Sequence, residues 1–117
     1  MTQFVRVYTG LDGQSHLEDI ELDLEGSALG GGLSAQWQSK GVQLRTISDD
    51  FDFDFHVAPR RQFVVNLIGS CEVEVTSGDT RIMGPGSILL AEDTTGRGHK
   101  TRKTNGGPLH CLLVHLS

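Results

Sequence analysis

The sequence predicts an all-β protein. Its 117 residues match the usual size of one domain with one core. The 15 glycines are roughly double average usage and are mostly scattered singly among short apolar runs. Helical periodicity is weak throughout. Because many tight turns in a short chain separate many short strands, these observations favour a β-sandwich or a β-barrel of about ten strands.

The predicted strands follow one another along the chain, each bounded by turn residues. They span residues 4–8, 20–24, 34–38, 42–47, 51–57, 62–68, 71–76, 80–83, 87–91, 99–102 and 109–116. One short segment, 15–19, could instead form a helical turn. The segment 25–33 reads as a loop rich in glycine, but it lacks the spacing of a phosphate-binding loop, so Gly30 to Gly32 have no assigned role.

The strand predicted at 51–57 alternates strictly between apolar and polar residues. Its apolar side chains, expected to pack between sheets or to form a dimer surface, are Phe51, Phe53, Phe55 and Val57. Asp54 and His56 should share the opposite face. Pro59 ends the strand because proline cannot donate to a ladder of hydrogen bonds.

Composition excludes several classes of partner. Ten basic residues against 15 acidic ones give a net charge of -5, which argues against binding to nucleic acid or to anionic membranes. No apolar run approaches the ~20 residues of a membrane helix, and no signal-peptide pattern is visible, so we expect a cytoplasmic protein. Cys71 and Cys111 lie in apolar runs without a CxxC spacing, and we interpret them as buried and reduced rather than disulfide-bonded.

Candidate site residues follow from the strand pattern. His56 lies on the polar face of its strand, Gln62 and Asn66 share one face of the next strand, and His99 begins a later strand. These side chains could converge across a small barrel, or each could be an ordinary polar residue near a strand end. Arg60 lies in the intervening turn, where its guanidinium could hold an anionic substrate or form a structural ion pair.

Two segments resemble the motifs of the cupin family. Residues 56–69, HVAPRRQFVVNLIG, are similar to the first motif, HxH followed by Glu and then Gly. Its four positions fall on His56, Ala58, Gln62 and Gly69. Residues 84–91 with His99 resemble the second motif, and the likeness covers 51–103. The chain looks most like small bacterial cupins that carry an APRRQ segment and an EDTTGxGH segment.

The resemblance implies one cupin domain over residues 1–117, folded as a jelly-roll-like β-barrel or double-stranded β-helix. Cupins usually bind a divalent metal through His, His, Glu and His. Here Ala58 has no ligand atom, which leaves His56, Gln62 and His99 as metal candidates. Because these three carry no negative charge, we expect Fe, Mn, Zn or Ni to be held weakly or not at all. Asp54 could help only if it points inward.

Without a metal, His56 and His99 are candidates for acid–base catalysis, because histidine exchanges protons near neutral pH. Arg60, Gln62 and Asn66 are the candidates for substrate binding. We expect a lyase, dehydratase or isomerase acting on a small anionic metabolite, in a homodimer. The alternatives are a small-ligand-binding cupin without catalysis and a metal-dependent oxygenase.

The remaining polar residues are expected to be structural. His110 and His115 fall on opposite faces of the last strand, so at most one of them faces the interior. His16 should lie in a solvated turn, and Asp93 is expected to cap backbone N–H groups of the loop before His99. His99 itself could merely bond that loop.

Overall fold

The computed structural model describes residues 3–21, 25–26, 30–48, 52–104 and 107–117. These residues form strands and connecting turns, and within them no helix is long and apolar enough to cross a membrane. The strands are β1 (Phe4–Thr9), β2 (Ser15–Asp19), β3 (Glu25–Gly26), β4 (Gly32–Leu33), β5 (Ser39–Ile47), β6 (Asp52–His56), β7 (Gln62–Ile68), β8 (Cys71–Glu74), β9 (Thr80–Met83), β10 (Ile88–Glu92), β11 (His99–Lys103) and β12 (Leu109–Leu116).

The strands pair in open sheets. The largest sheet has six strands in the order β2-β1-β10-β7-β12-β5, the second has four in the order β6-β11-β8-β9, and β3 pairs with β4 in a third sheet of two strands. β1 and β10 run parallel, whereas the other described pairs are antiparallel. The prediction of an all-β protein is confirmed. The described strands do not close into a continuous barrel, because the two larger sheets keep free edges.

The main core uses side chains from both sheets. Alternate residues of β1 and β10 provide Val5, Val7, Leu89 and Ala91, and β8 and β9 provide Val73 and Met83. A smaller cluster on the other face of the six-stranded sheet contains Phe4, Leu90 and Leu116. The two clusters follow from the period of two in a strand, which sends neighbouring residues to opposite faces.

Three predicted segments differ from the structure. Residues 15–19 form β2 rather than a helical turn, because their backbone pairs with β1 along its length. Residues 34–38 are not a strand, and neither Ile20 nor Glu21 lies in one, while 22–24 fall outside the described residues. Phe51 is also outside them, and the side chain of Phe53 is not described, so the expected apolar face of 51–57 is not tested.

A β-bulge interrupts the alternation expected for β6. His99 lies opposite His56, but Thr101 lies opposite Phe53, so β6 has one extra residue between the two pairs. The prediction that Asp54 shares the face of His56 is therefore wrong. Asp54 is exposed, and its carboxylate accepts a hydrogen bond of 2.8 Å from the backbone N–H of Phe55.

Candidate functional site

A cavity of about 170 Å³ lies between the two sheets. Its apolar middle is lined by Val64, Leu89 and Leu113 on neighbouring strands. On β7, Gln62 and Asn66 both line the cavity, and the four-residue step between them corresponds to roughly 13 Å. The cavity therefore has two polar ends. The imidazole end contains His56, Gln62 and His99, and the thiol end contains Asn66, Cys71, Ser87 and Cys111.

The two histidines of the imidazole end are neighbours. They lie opposite each other on β6 and β11, with ring centroids 5.1 Å apart and ring planes inclined by 47°. Gly98 permits this approach: its φ is 78°, and a Cβ there would overlap the carbonyl oxygen of His56. The structure brings His56 and His99 together and places Gln62 in the wall of the same cavity, whereas their roles stay a prediction.

A buried carboxylate holds His99 from behind. Asp93 Oδ2 lies 2.6 Å from His99 Nδ1 and accepts a second hydrogen bond of 2.8 Å from the Ser15 hydroxyl. Asp93 is completely buried, and its Oδ1 has no partner among the described residues. With Nδ1 bound to Asp93, Nε2 is the nitrogen of His99 left for a ligand.

A backbone carbonyl fixes the tautomer of His56. Its Nδ1 lies 3.0 Å from the carbonyl oxygen of Asp54, and a carbonyl can only accept. The proton of neutral His56 is therefore on Nδ1, which places the lone pair on Nε2. Both histidines of the imidazole end are thus bonded to the protein through Nδ1.

Sequence reasoning missed the role of Asp93. The structure makes its side chain the partner of His99, not a cap of the loop, although its backbone carbonyl does accept from Ala58. The only sequence signal was an acidic residue six positions before His99 in a short polar loop. Glu92 is the last residue of β10 and faces outward, and Asp93, which follows it, turns inward. The sequence does not show which of these two acids turns inward.

The two arginines after β6 have different partners. Arg60 lines the cavity, and its Nη1 donates a hydrogen bond of 3.3 Å to Nδ1 of His115, which also lines the cavity. Arg61 instead forms an ion pair with Glu92. His110 and His115 were predicted to lie on opposite faces of β12, so that at most one of them faces the interior. His115 lines the cavity and His110 is not among the lining residues, in agreement with the alternation.

Glu92 is enclosed by arginines on the outer side of the sheet. Arg6 Nε lies 2.6 Å from its Oε1, and Arg61 binds its other oxygen. Burial alone raises the pKa of the Glu92 carboxyl, but the hydrogen bonds from Arg61 and Arg6 outweigh it and leave the pKa below its usual value.

His16, predicted to be solvated, lies on β2 and pairs with Asp12 at 3.1 Å.

At the thiol end, the Asn66 amide is used within the protein. Asn66 Nδ2 donates to the carbonyl oxygen of Met83 at 2.9 Å and to Cys71 Sγ at 3.6 Å, and Cys111 Sγ donates to its Oδ1 at 3.4 Å. Both cysteines are buried free thiols, as predicted. Burial raises the pKa of Cys71, and burial with the neighbouring thiol raises that of Cys111 to about 11.

The donors at the imidazole end do not fit the metal centre that the cupin resemblance implies. Ala58 is buried at the position of the second histidine, and Gln62 offers a neutral amide. In the part of the chain that the structure describes, no three His, Cys, Asp or Glu side chains are grouped to hold a metal ion. Two imidazoles and an amide supply no anion to offset the charge of a divalent cation.

Comparisons with known proteins bear on the fold alone. No protein-family model matches the chain, and no curated protein matches it. Among solved structures, the chain is similar to the crystal structure of protein NMB1881 from Neisseria meningitidis, with a TM-score of 0.51 and 18% sequence identity. The alignment covers 73% of this chain and 89% of that one. At this identity the likeness concerns the arrangement of strands.

Proposed function

We propose that this chain is a cupin-type protein whose cavity binds a small anionic metabolite and transforms it by proton transfer through His56 and His99. The observation that carries the proposal is the buried Asp93–His99 pair, 2.6 Å long, beside a second oriented imidazole at a cavity wall. The motif likeness of residues 56–69 and 84–99 supports the cupin architecture, and the two buried free thiols support a reducing, cytoplasmic location.

The two imidazoles can divide the work of an isomerase or a dehydratase. Nε2 of one histidine takes a proton from the carbon beside a carbonyl, and the electron pair of the broken C–H bond moves onto the carbonyl oxygen. The other, protonated imidazole then returns a proton to carbon or to a leaving oxygen. Asp93 holds the ring of His99 in one orientation during this cycle, because its carboxylate is bonded to Nδ1.

Arg60 is the group that selects an anion. It lines the cavity, as Arg45 does, and it reaches the cavity from the turn after β6, where its Nη1 donates to His115. A guanidinium matches the geometry of a carboxylate, so a substrate carboxylate there would lie near both imidazoles. Gln62, which is buried at the same end, offers a neutral amide to orient the ligand further.

The test is a screen of small carboxylates by thermal shift, followed by NMR of each hit in D₂O. We expect the wild type to exchange a carbon-bound proton for deuterium or to form product. His56→Ala and His99→Ala should each lower the rate by about 100-fold or more. His110→Ala is the matched control, because this histidine lies on β12 but is not part of the cavity wall.

The same measurements distinguish the enzyme from the alternative, a protein that binds a small ligand without catalysis. Binding of a carboxylate with no exchange and no product over hours would support that alternative and reject the enzyme. Failure of every small anion to bind would reject both. If His56→Ala and His99→Ala behave as the wild type while a ligand turns over, the assigned site is wrong.

We also infer that two copies of the chain pair through β5. This strand is an outer strand of the six-stranded sheet, and its side chains from Ser39 to Thr46 are exposed, including Val42 at 60% and Leu44 at 77%. A long, apolar edge strand recruits a further strand. A two-fold antiparallel pairing centred on Gln43 sets Val42 of each copy opposite Leu44 of the other and opposes no like charges.

The pairing is tested by light scattering coupled to size-exclusion chromatography. We expect a dimer for the wild type and a monomer for Leu44→Lys, which places two cations within the apolar contact. Leu11→Lys is the control, because Leu11 is an exposed apolar residue beyond the opposite end of the sheet. A monomeric wild type, or a Leu44→Lys variant that stays dimeric, would reject this interface.

A further inference from the structure

Ser87 has an unexplained buried hydroxyl at the thiol end of the cavity. The residue is 3% exposed and lines the cavity, and its Oγ has no hydrogen-bond partner among the described residues. Buried polar side chains are paired in the large majority of cases, because an unpaired hydroxyl loses its bonds to water without compensation. A partner from outside the described residues is therefore expected.

The neighbouring polar side chains do not supply that partner. The nearest strand residue on β7 is Asn66, whose backbone N–H donates 3.1 Å to the Ser87 carbonyl oxygen. The Asn66 side chain is already bonded to the Met83 carbonyl oxygen and to both thiols. Ser87 is thus a polar group at the thiol end whose hydroxyl is directed to the contents of the cavity, on the same wall system as Arg45, which lies opposite Cys111.

The dimensions of the cavity limit what reaches both ends. The cavity measures about 170 Å³, and an engineered protein cavity of roughly 150 Å³ holds benzene, with six non-hydrogen atoms. The step from Gln62 to Asn66 is roughly 13 Å between backbone positions, and side chains shorten the free span. An extended ligand of about six to nine non-hydrogen atoms would contact both polar ends and leave its methylenes beside Val64 and Leu89.

We propose that Ser87 forms a second polar subsite, which binds the terminal oxygen of a short linear carboxylate whose carboxylate lies at the imidazole end. The inference rests on the proposed function for the anionic group, but not on catalysis. Ser87 therefore sets ligand length and requires an oxygen at the far end, whereas Arg60 and the imidazoles bind the charged end.

The experiment compares three ω-hydroxy acids with three matched alkanoates by isothermal titration calorimetry. The pairs are 4-hydroxybutanoate with butanoate, 5-hydroxypentanoate with pentanoate, and 6-hydroxyhexanoate with hexanoate. We expect the hydroxy acid to bind about fivefold to tenfold more tightly at the one length that reaches Ser87. Without a subsite, the added hydroxyl would weaken binding at every length, because it would be buried unpaired.

The variants are Ser87→Ala, which removes the hydroxyl, and Thr101→Val, which removes a different cavity hydroxyl as control. Ser87→Ala should abolish the preference for the hydroxy acid, keep the affinity for the alkanoates, and leave the urea midpoint unchanged or higher. Thr101→Val should keep the preference.

Three results would overturn the subsite. One is a preference for the alkanoate at every length, and another is an unchanged preference in Ser87→Ala, as expected if water alone satisfies the hydroxyl. The third is the absence of binding by all six probes. Only this last result also counts against the proposed anionic ligand. Catalysis is tested separately, by the His56→Ala and His99→Ala variants.

Discussion

The two ends of the cavity use buried polar side chains in opposite ways. At the imidazole end, each histidine is bonded through Nδ1 to the protein behind it, His99 to Asp93 and His56 to the Asp54 carbonyl. At the thiol end, the Asn66 amide has its bonds inside the protein. Bonding through one ring nitrogen orients a histidine, whereas complete internal bonding makes a residue part of the core.

The contrast between the two ends bears on the role predicted for Asn66. From its place on β7 it was expected to bind substrate together with Gln62. The structure places both side chains at the cavity, but it gives the Asn66 amide three protein contacts and shows no protein hydrogen bond for the Gln62 amide within the described ranges. The Asn66 amide is thus used within the protein, and ligand contacts by Gln62 and Ser87 remain our proposal.

The largest effect is expected from the support of the imidazole end. Asp93→Ala removes a fully buried carboxylate and leaves His99 Nδ1 and the Ser15 hydroxyl without their acceptor. We expect the free energy of unfolding to fall by about 3–5 kcal/mol, measured by urea denaturation. Asp93→Asn keeps an acceptor and the volume, and should cost less. A loss below ~1 kcal/mol for Asp93→Ala would show that this pair is not part of the core.

A smaller effect compares the two amides on β7. Asn66→Leu should lower the free energy of unfolding by about 1–3 kcal/mol, because the Met83 carbonyl oxygen loses its donor. Gln62→Met should change it by less than ~0.5 kcal/mol, because no protein bond is lost, but it should weaken carboxylate binding. Both are read from urea curves of the same chain. A larger loss of unfolding free energy for Gln62→Met than for Asn66→Leu would contradict the different use of the two amides at the two ends of the cavity.

The smallest effect at neutral pH concerns the Cys111 thiol. Its pKa is raised from 9.0 to about 11, so at pH 8 its thiolate should be roughly 100-fold scarcer than in the unfolded chain. Alkylation of the wild-type chain with and without urea, followed by peptide mass spectrometry that resolves Cys111 from Cys71, measures this ratio. Because the raised pKa favours the neutral thiol in the folded state, its stabilising contribution is complete below pH 9 and is lost as pH rises toward 11. Equal alkylation rates of Cys111 in the folded and the urea-unfolded chain would contradict the burial of the thiol end.

Much of the strand pattern could be predicted from the sequence. Alternation and turn residues located β7, β9, β11 and β12 to within one residue, because each lies between clear turn signals and carries one buried face. β2 was missed because its polar residues show no alternation, and its pairing with β1 supplies the order instead. The segment 34–38 has a strand-like composition but pairs with no strand among the described residues.

What the sequence determined by itself is the list of candidate side chains: His56 and His99 in strands, Gln62 and Asn66 on one face, and two thiols in apolar runs. Which of their atoms face a ligand was decided only by tertiary structure. The bulge in β6 turned Asp54 out, and the end of β10 turned Asp93 in toward His99. Both outcomes depend on pairing between segments distant in sequence, and a period of two along one strand cannot encode the partner of each polar atom.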